Sequence, residues 1–122
     1  MGFRLYISKS PKDYKNSLEF RKFYGYCDYK YAKDSFEYLH SIFGDELVGY
    51  NVEDKYDFLT CVPQTGTYKL TADQFRIFIS KYIAGMQWWY KDEGKKETLT
   101  LSSFDGLPDL YADECDKYID WG

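Results

Sequence analysis

His40 is the sole histidine in this 122-residue chain. A soft metal centre would need further imidazole or thiolate ligands at close spacing, and Cys27, Cys61 and Cys115 stand far from it and from one another. The odd cysteine count and the lack of any Cys-x-x-Cys argue against a disulfide framework and for buried thiols in a reducing compartment. Nothing local pairs a cysteine with His40 for nucleophilic catalysis. No Gly-x-Ser-x-Gly elbow, phosphate loop or dinucleotide fingerprint occurs. Asp113, Glu114 and Asp116 could offer oxygen ligands to a hard cation, but they lack the spaced loop with its central glycine and terminal glutamate. A carboxylate pair for glycoside hydrolysis leaves no local signature. The sequence therefore predicts a protein that is not an enzyme and that carries no metal or cofactor.

The chemistry the chain does carry is aromatic. Tyrosine accounts for 14 residues, and aromatics make up 21% of the sequence. They concentrate in Trp88-Trp89-Tyr90 and in a C-terminal segment, about 105–122, that holds Tyr111, Tyr118 and Trp121. Aromatic side chains beyond the needs of a small core are effective binding anchors. The same segment is acidic. Six carboxylates from Asp105 to Asp120 face Lys117 alone, a net −5 against −4 for the whole chain, which leaves about +1 on residues 1–103. A balanced body with an acidic tail gains little from phosphate contacts, so direct nucleic-acid binding is not expected. A basic protein surface suits it better.

These residues need elements to position them. At 14.5 kDa, 44% hydrophobic and 30% charged, the chain is expected to form one soluble domain spanning 1–122. No apolar run reaches a membrane-spanning length, the N-terminus lacks the look of a secretion signal, and a cytoplasmic location is expected. Phe3, Leu5 and Ile7 alternate with polar neighbours as a half-buried strand. Phe23 to Tyr29 reads as another strand. Ala32, Phe36, Leu39 and Phe43 predict a helix over 32–43 that Gly44 terminates. Short strands are expected at 47–52, 58–62 and around Tyr68–Leu70, with Pro63 and Gly66 in a turn.

The strongest signal is the next helix. Thr71 and Gln74 form a capping-box pattern. Phe75, Phe78, Ile79, Tyr82, Ile83, Met86, Trp89 and Tyr90 then share one broad arc, ending near Lys91 before Gly94. Ile77, Ala84 and Trp88 fall on the opposite side as a second, narrower apolar stripe. Either the N-terminal loop or the acidic tail covers that stripe, or it docks a protein partner or a second copy of the chain. Glu97–Leu101 alternates as a final strand, and a short acidic helix is expected over 110–119. That tail either docks on its own domain or supplies anchors to a basic-rimmed groove. Tyr29–Phe43 and Tyr68–Tyr82 share a faint pattern at constant offset, both reading as strand then helix. The expected fold is α+β, an antiparallel sheet packed against one long and one shorter helix.

Gly2-Phe3-Arg4-Leu5-Tyr6-Ile7-Ser8, Phe23-Tyr24-Gly25-Tyr26, Ser35-Phe36-Glu37-Tyr38-Leu39 and Leu70-Thr71-Ala72-Asp73-Gln74-Phe75 resemble small proteins of phages and prophages of Gram-positive bacteria. The resemblance covers about the first 85 residues and leaves the acidic tail unmatched. It implies no activity and no site residues, but it does imply an accessory protein acting on a host system. The resulting expectation is a phage-type inhibitor of a host defence protein, such as a nuclease or CRISPR effector, with contacts at Ile77, Trp88, Tyr111, Asp113, Glu114, Asp116, Tyr118 and Trp121. A small structural or homo-oligomeric phage component and a ligand-binding module are the alternatives.

Overall fold

The computed structural model describes residues 5–11, 18–19, 29–44 and 66–121. The strand readings at 47–52 and 58–62, all but Tyr29 of that at 23–29, and Pro63 of the expected turn lie outside those residues, as do Cys27 and Cys61; Gly66, read as part of that turn, instead opens the strand Gly66–Leu70. The described chain is α+β. Its elements are β1 (Leu5–Ser8), β2 (Leu18–Glu19), α1 (Tyr29–Phe43), β3 (Gly66–Leu70), α2 (Ala72–Asp92), a 3₁₀ turn at Leu101–Ser103, α3 (Leu107–Ala112) and β4 (Lys117–Trp121). The strands form one antiparallel sheet in the order β2-β1-β4-β3.

β4 is the strand that organises this sheet. It pairs with β1 on one edge, Ile119 opposite Ile7, and with β3 on the other, Ile119 opposite Tyr68. Since side chains alternate across a strand, that register aligns Ile7, Ile119 and Tyr68 on one face, with Leu70 and Lys117 paired on the same side. All five are buried. The opposite face carries the row Tyr6, Asp120, Thr67, in which the Thr67 hydroxyl donates to Asp120 Oδ1 at 2.5 Å.

α2 supplies the other half of the core. Its N-terminus forms the expected capping box: the Gln74 N–H donates to Thr71 Oγ1 at 3.2 Å, and the Thr71 N–H donates to Gln74 Oε1 at 3.0 Å. Phe75, Phe78, Ile79, Tyr82 and Met86 are buried; Ile83, Trp89 and Tyr90 pack partly against them. The helix stops as a glycine-based motif. Gly94 has φ +77°, its N–H donates to Lys91 O at 3.0 Å, and the Lys95 N–H donates to Tyr90 O at 2.9 Å.

Some expectations require correction. Tyr29 opens α1 and does not end a strand, so the repeat-like pattern joins a helical Tyr29-Lys30 to a strand Tyr68-Lys69. Among the described side chains of α1, Tyr31, Ser35 and Leu39 are buried, so its inner face includes a tyrosine and a serine that the apolar spacing does not mark; Gly44, at φ +55°, does terminate the helix. Glu97–Leu101 forms no ladder, because the Gln87 side chain takes up its backbone groups as described below. The tail is no helix over 110–119. Pro108 sits in the first turn of α3, where its missing N–H costs nothing. Lys117–Trp121 is then a strand, because Lys117 and Ile119 must reach the core on alternate residues.

Candidate partner-binding surface

The sides of α2 differ in what covers them. Phe75, Phe78 and Tyr82 face the buried core, where the Lys117 ammonium of β4 lies over the Phe75 ring. α1 runs antiparallel along one flank: the Tyr31 hydroxyl donates to Asp92 Oδ2 at 2.7 Å, and seven residues on, the Tyr38 ring lies 6.0 Å from Lys81 Nζ. The segment after the helix folds back along the other flank. There Gln87 acts as a two-pronged clamp, its Nε2 donating to Glu97 O at 2.8 Å and its Oε1 accepting from the Leu99 N–H at 2.6 Å. One side-chain amide thus does for residues 97–99 what a neighbouring strand would do.

Between the two flanks a strip of α2 faces outward. At about 100° per residue, Ile77, Ala84 and Trp88 fall within about 40° of one another. Ile77 is 45% and Trp88 48% exposed, the two large hydrophobic side chains that stand out to solvent among the described residues. Trp88 is not loose: the Tyr31 ring meets it edge-on, with centroids 5.3 Å apart. Beside the strip lies a groove of about 410 Å³, lined by Ser80, Ile83, Ala84, Gln87, Leu99, Thr100, Leu101 and Tyr111. Ala84 belongs to both, so ridge and groove adjoin, the groove's mainly apolar lining being interrupted by Ser80, Gln87 and Thr100.

The acidic residues of the tail sit elsewhere and are engaged. Asp113 accepts from Lys9 Nζ at 2.7 Å, from Lys117 Nζ at 3.1 Å and from the Cys115 N–H at 2.8 Å. Those donors, Lys9 foremost, hold its carboxyl well below the usual carboxylate range. Glu114 meets Arg76 at 2.8 Å, and Asp116 meets Lys69 at 3.3 Å. Arg76 also donates through Nε to Tyr111 O at 2.8 Å and lies over the Tyr111 ring at 5.9 Å. Its guanidinium therefore fastens the turn between α3 and β4 to α2, and Glu114 and Asp73 beside it stabilise its charge and push its titration up. Lys117, 0% exposed, closes the same turn from inside, donating to Asp113 O at 3.1 Å and to Cys115 O at 2.5 Å.

Of the eight sequence-derived residues, the structure places Ile77 and Trp88 on one open face and Tyr111 at the edge of its groove. Asp113, Glu114 and Asp116 lie together at the α3–β4 turn, each bound to a cation of the domain's own body. Tyr118 is half-buried in β4. The Trp121 backbone completes that strand, and its side chain lies outside the described part. The sequence reading missed the roles of Gln87, Leu99 and Leu101, which line the groove, and of Arg76, which seats the turn: the alternation of Leu99 and Leu101 reads as a strand, and Gln87 and Arg76 carry no pattern that separates them from ordinary surface residues.

His40 lies exposed in the last turn of α1, and Cys115 is an exposed thiol. Among the described residues no group of three His, Cys, Asp or Glu side chains could hold a metal ion, and no helix is long and apolar enough to cross a membrane. No protein family, curated protein or solved structure matches the chain.

Proposed function

We propose that this chain is a non-enzymatic binding protein that occupies the surface of another protein. The observation that carries the reading is the Ile77–Ala84–Trp88 ridge beside its apolar groove. An aromatic side chain that is already held in place by Tyr31, yet half open to water, loses little freedom when a partner covers it. The groove gives that partner a recess for an apolar side chain next to the indole.

Affinity on this reading comes from apolar contact. Lys9, Lys69, Arg76 and Lys117 already neutralise much of the tail, so on this reading Glu114 and Asp116, paired at the α3–β4 turn away from the ridge, act on the rate of encounter with a basic partner and add little to affinity. The resemblance to phage and prophage proteins supports a host protein as the target, and a nuclease or CRISPR effector whose basic channel is blocked is the form of inhibition we favour.

The test is capture from host lysate with three baits: wild type, Trp88→Ala and Ile77→Ser, followed by reconstitution with the purified captured protein. Wild type should capture a protein and reduce its activity, and both variants should lose that protein by faster dissociation. Equal capture by all three baits would place the contact elsewhere on the domain.

A further inference from the structure

The open face of α2 is complementary to itself. Asp73 and Lys91 lie about five helical turns apart and Ile77 and Trp88 about three, so each pair shares one azimuth on the helix to within about 20°. Both pairs are centred on the same level, that of Tyr82. Asp73, whose carboxylate meets Arg76 at 3.1 Å, still has 90% of its side chain exposed, and Lys91 is exposed. The residues nearest the centre of the strip are the small Ser80 and Ala84, which let another helix approach closely. Asp73 also lies on the groove side of the ridge, as does Lys91.

We propose that, in the absence of a target, two copies of this chain pair through α2 in an antiparallel, two-fold arrangement centred at Tyr82. A two-fold axis perpendicular to both helices reverses their direction while keeping each residue on its own side of the contact. Residue pairs that share an azimuth and a common midpoint therefore meet. Ile77 packs on the partner's Trp88 and Trp88 on the partner's Ile77. Asp73 comes beside the partner's Lys91, twice per dimer. A parallel pairing would set Asp73 against Asp73 and Lys91 against Lys91. The ionic pairs thus select the direction and the indole supplies the affinity. This inference goes beyond the proposed function and stands without it: the pair covers the ridge, and a target that uses the same ridge must compete with a second copy.

The test is sedimentation equilibrium from about 1 μM to about 1 mM, the span in which a small, single-helix interface dissociates measurably. Wild type should form a reversible dimer that Trp88→Ala, or Ile77→Ser if the first variant misfolds, weakens by more than about tenfold. Asp73→Lys and Lys91→Asp should each weaken self-association about tenfold at low salt, less at high salt, because each sets like charges face to face at both ends. Mixed in equal amounts, those two variants should regain a dimer of wild-type strength, since the first is basic at both ends of the strip and the second is acidic at both. Far-UV circular dichroism of each variant checks that it is folded. A wild-type monomer throughout the range would overturn the proposal and leave the ridge to an unrelated protein. So would dimers indifferent to Trp88, or single variants that fail to restore one another on mixing. None of these outcomes depends on host capture, so the pairing and the proposed function can fail separately.

Discussion

At the scale of single residues, the tail is held by charges that the sequence presents as an excess. Asp113 illustrates the consequence for pH. Its folded carboxyl titrates below its unfolded value because Lys9, the Cys115 N–H and Lys117 favour the charged form. A depressed carboxylate contributes stability that is complete above its unfolded pKa, near about 4, and that fades as pH falls through the folded value. Asp113→Asn should therefore lower the melting temperature by a constant amount above about pH 5, and the gap to wild type should close as pH drops below about 4. Thermal melts at pH 2–7 check this; a gap that persists undiminished at pH 2 would mean that the charge is not the source. Lys117 makes a different point. Its ammonium is buried over the Phe75 ring, 5.7 Å from the centroid, and serves three oxygens. Lys117→Met keeps much of the volume and strands those acceptors, so it should cost about 1–3 kcal/mol in chemical denaturation.

At the scale of elements, α2 is two surfaces on one helix, and mutation should separate them. Phe78→Ala opens a cavity in the core beside Tyr82 and should cost about 3–5 kcal/mol. Trp88→Ala removes an exposed ring that touches Tyr31 and should cost less than about 1 kcal/mol in the monomer. Denaturant melts at low protein concentration give both values, and equal losses would mean that the ridge is as buried as the core. This helix was legible in the sequence because its cap, its apolar arc and its glycine stop all agree locally. α1 was legible in its existence but not in the full extent of its inner face: buried Ser35 carries no hydrophobic signal, and tyrosines can face either way. The groove was not legible at all. Its wall at Leu99 and Leu101 depends on Gln87 capturing the backbone of Glu97 and Leu99, a contact set by how the chain returns after Gly94, whereas the alternation of the segment points to a strand that does not form.

At the scale of the whole molecule, the last of the described strands in sequence is an interior strand of the sheet, between β1 and β3. The sequence conceals this because the carboxylates at 109, 113, 114 and 116 look like a solvated tail, and the one alternation that matters, Lys117-Tyr118-Ile119, places a lysine at an inward position. What makes that lysine acceptable is the turn it closes, which no local pattern reports. The topology has a direct consequence for truncation. Deleting residues from Asp109 onward removes β4, and β1 and β3 then share no neighbour. Each keeps a row of backbone groups without ladder partners. The core loses Leu110, Lys117 and Ile119, and Arg76 loses the turn it seats. A domain of this size holds only about 5–15 kcal/mol of net stability, less than the loss of a central strand removes. The truncated chain should therefore show no cooperative thermal transition by circular dichroism, whereas Glu114→Gln with Asp116→Asn, which removes two exposed ion pairs and leaves β4 in place, should melt within a few degrees of wild type. A cooperative transition in the truncated chain would mean that β1 and β3 are held by something other than β4. The same argument decides how the tail's part in binding must be measured: by neutralising Glu114 and Asp116 in place, because a deletion that abolishes the sheet would abolish capture whatever surface the partner uses.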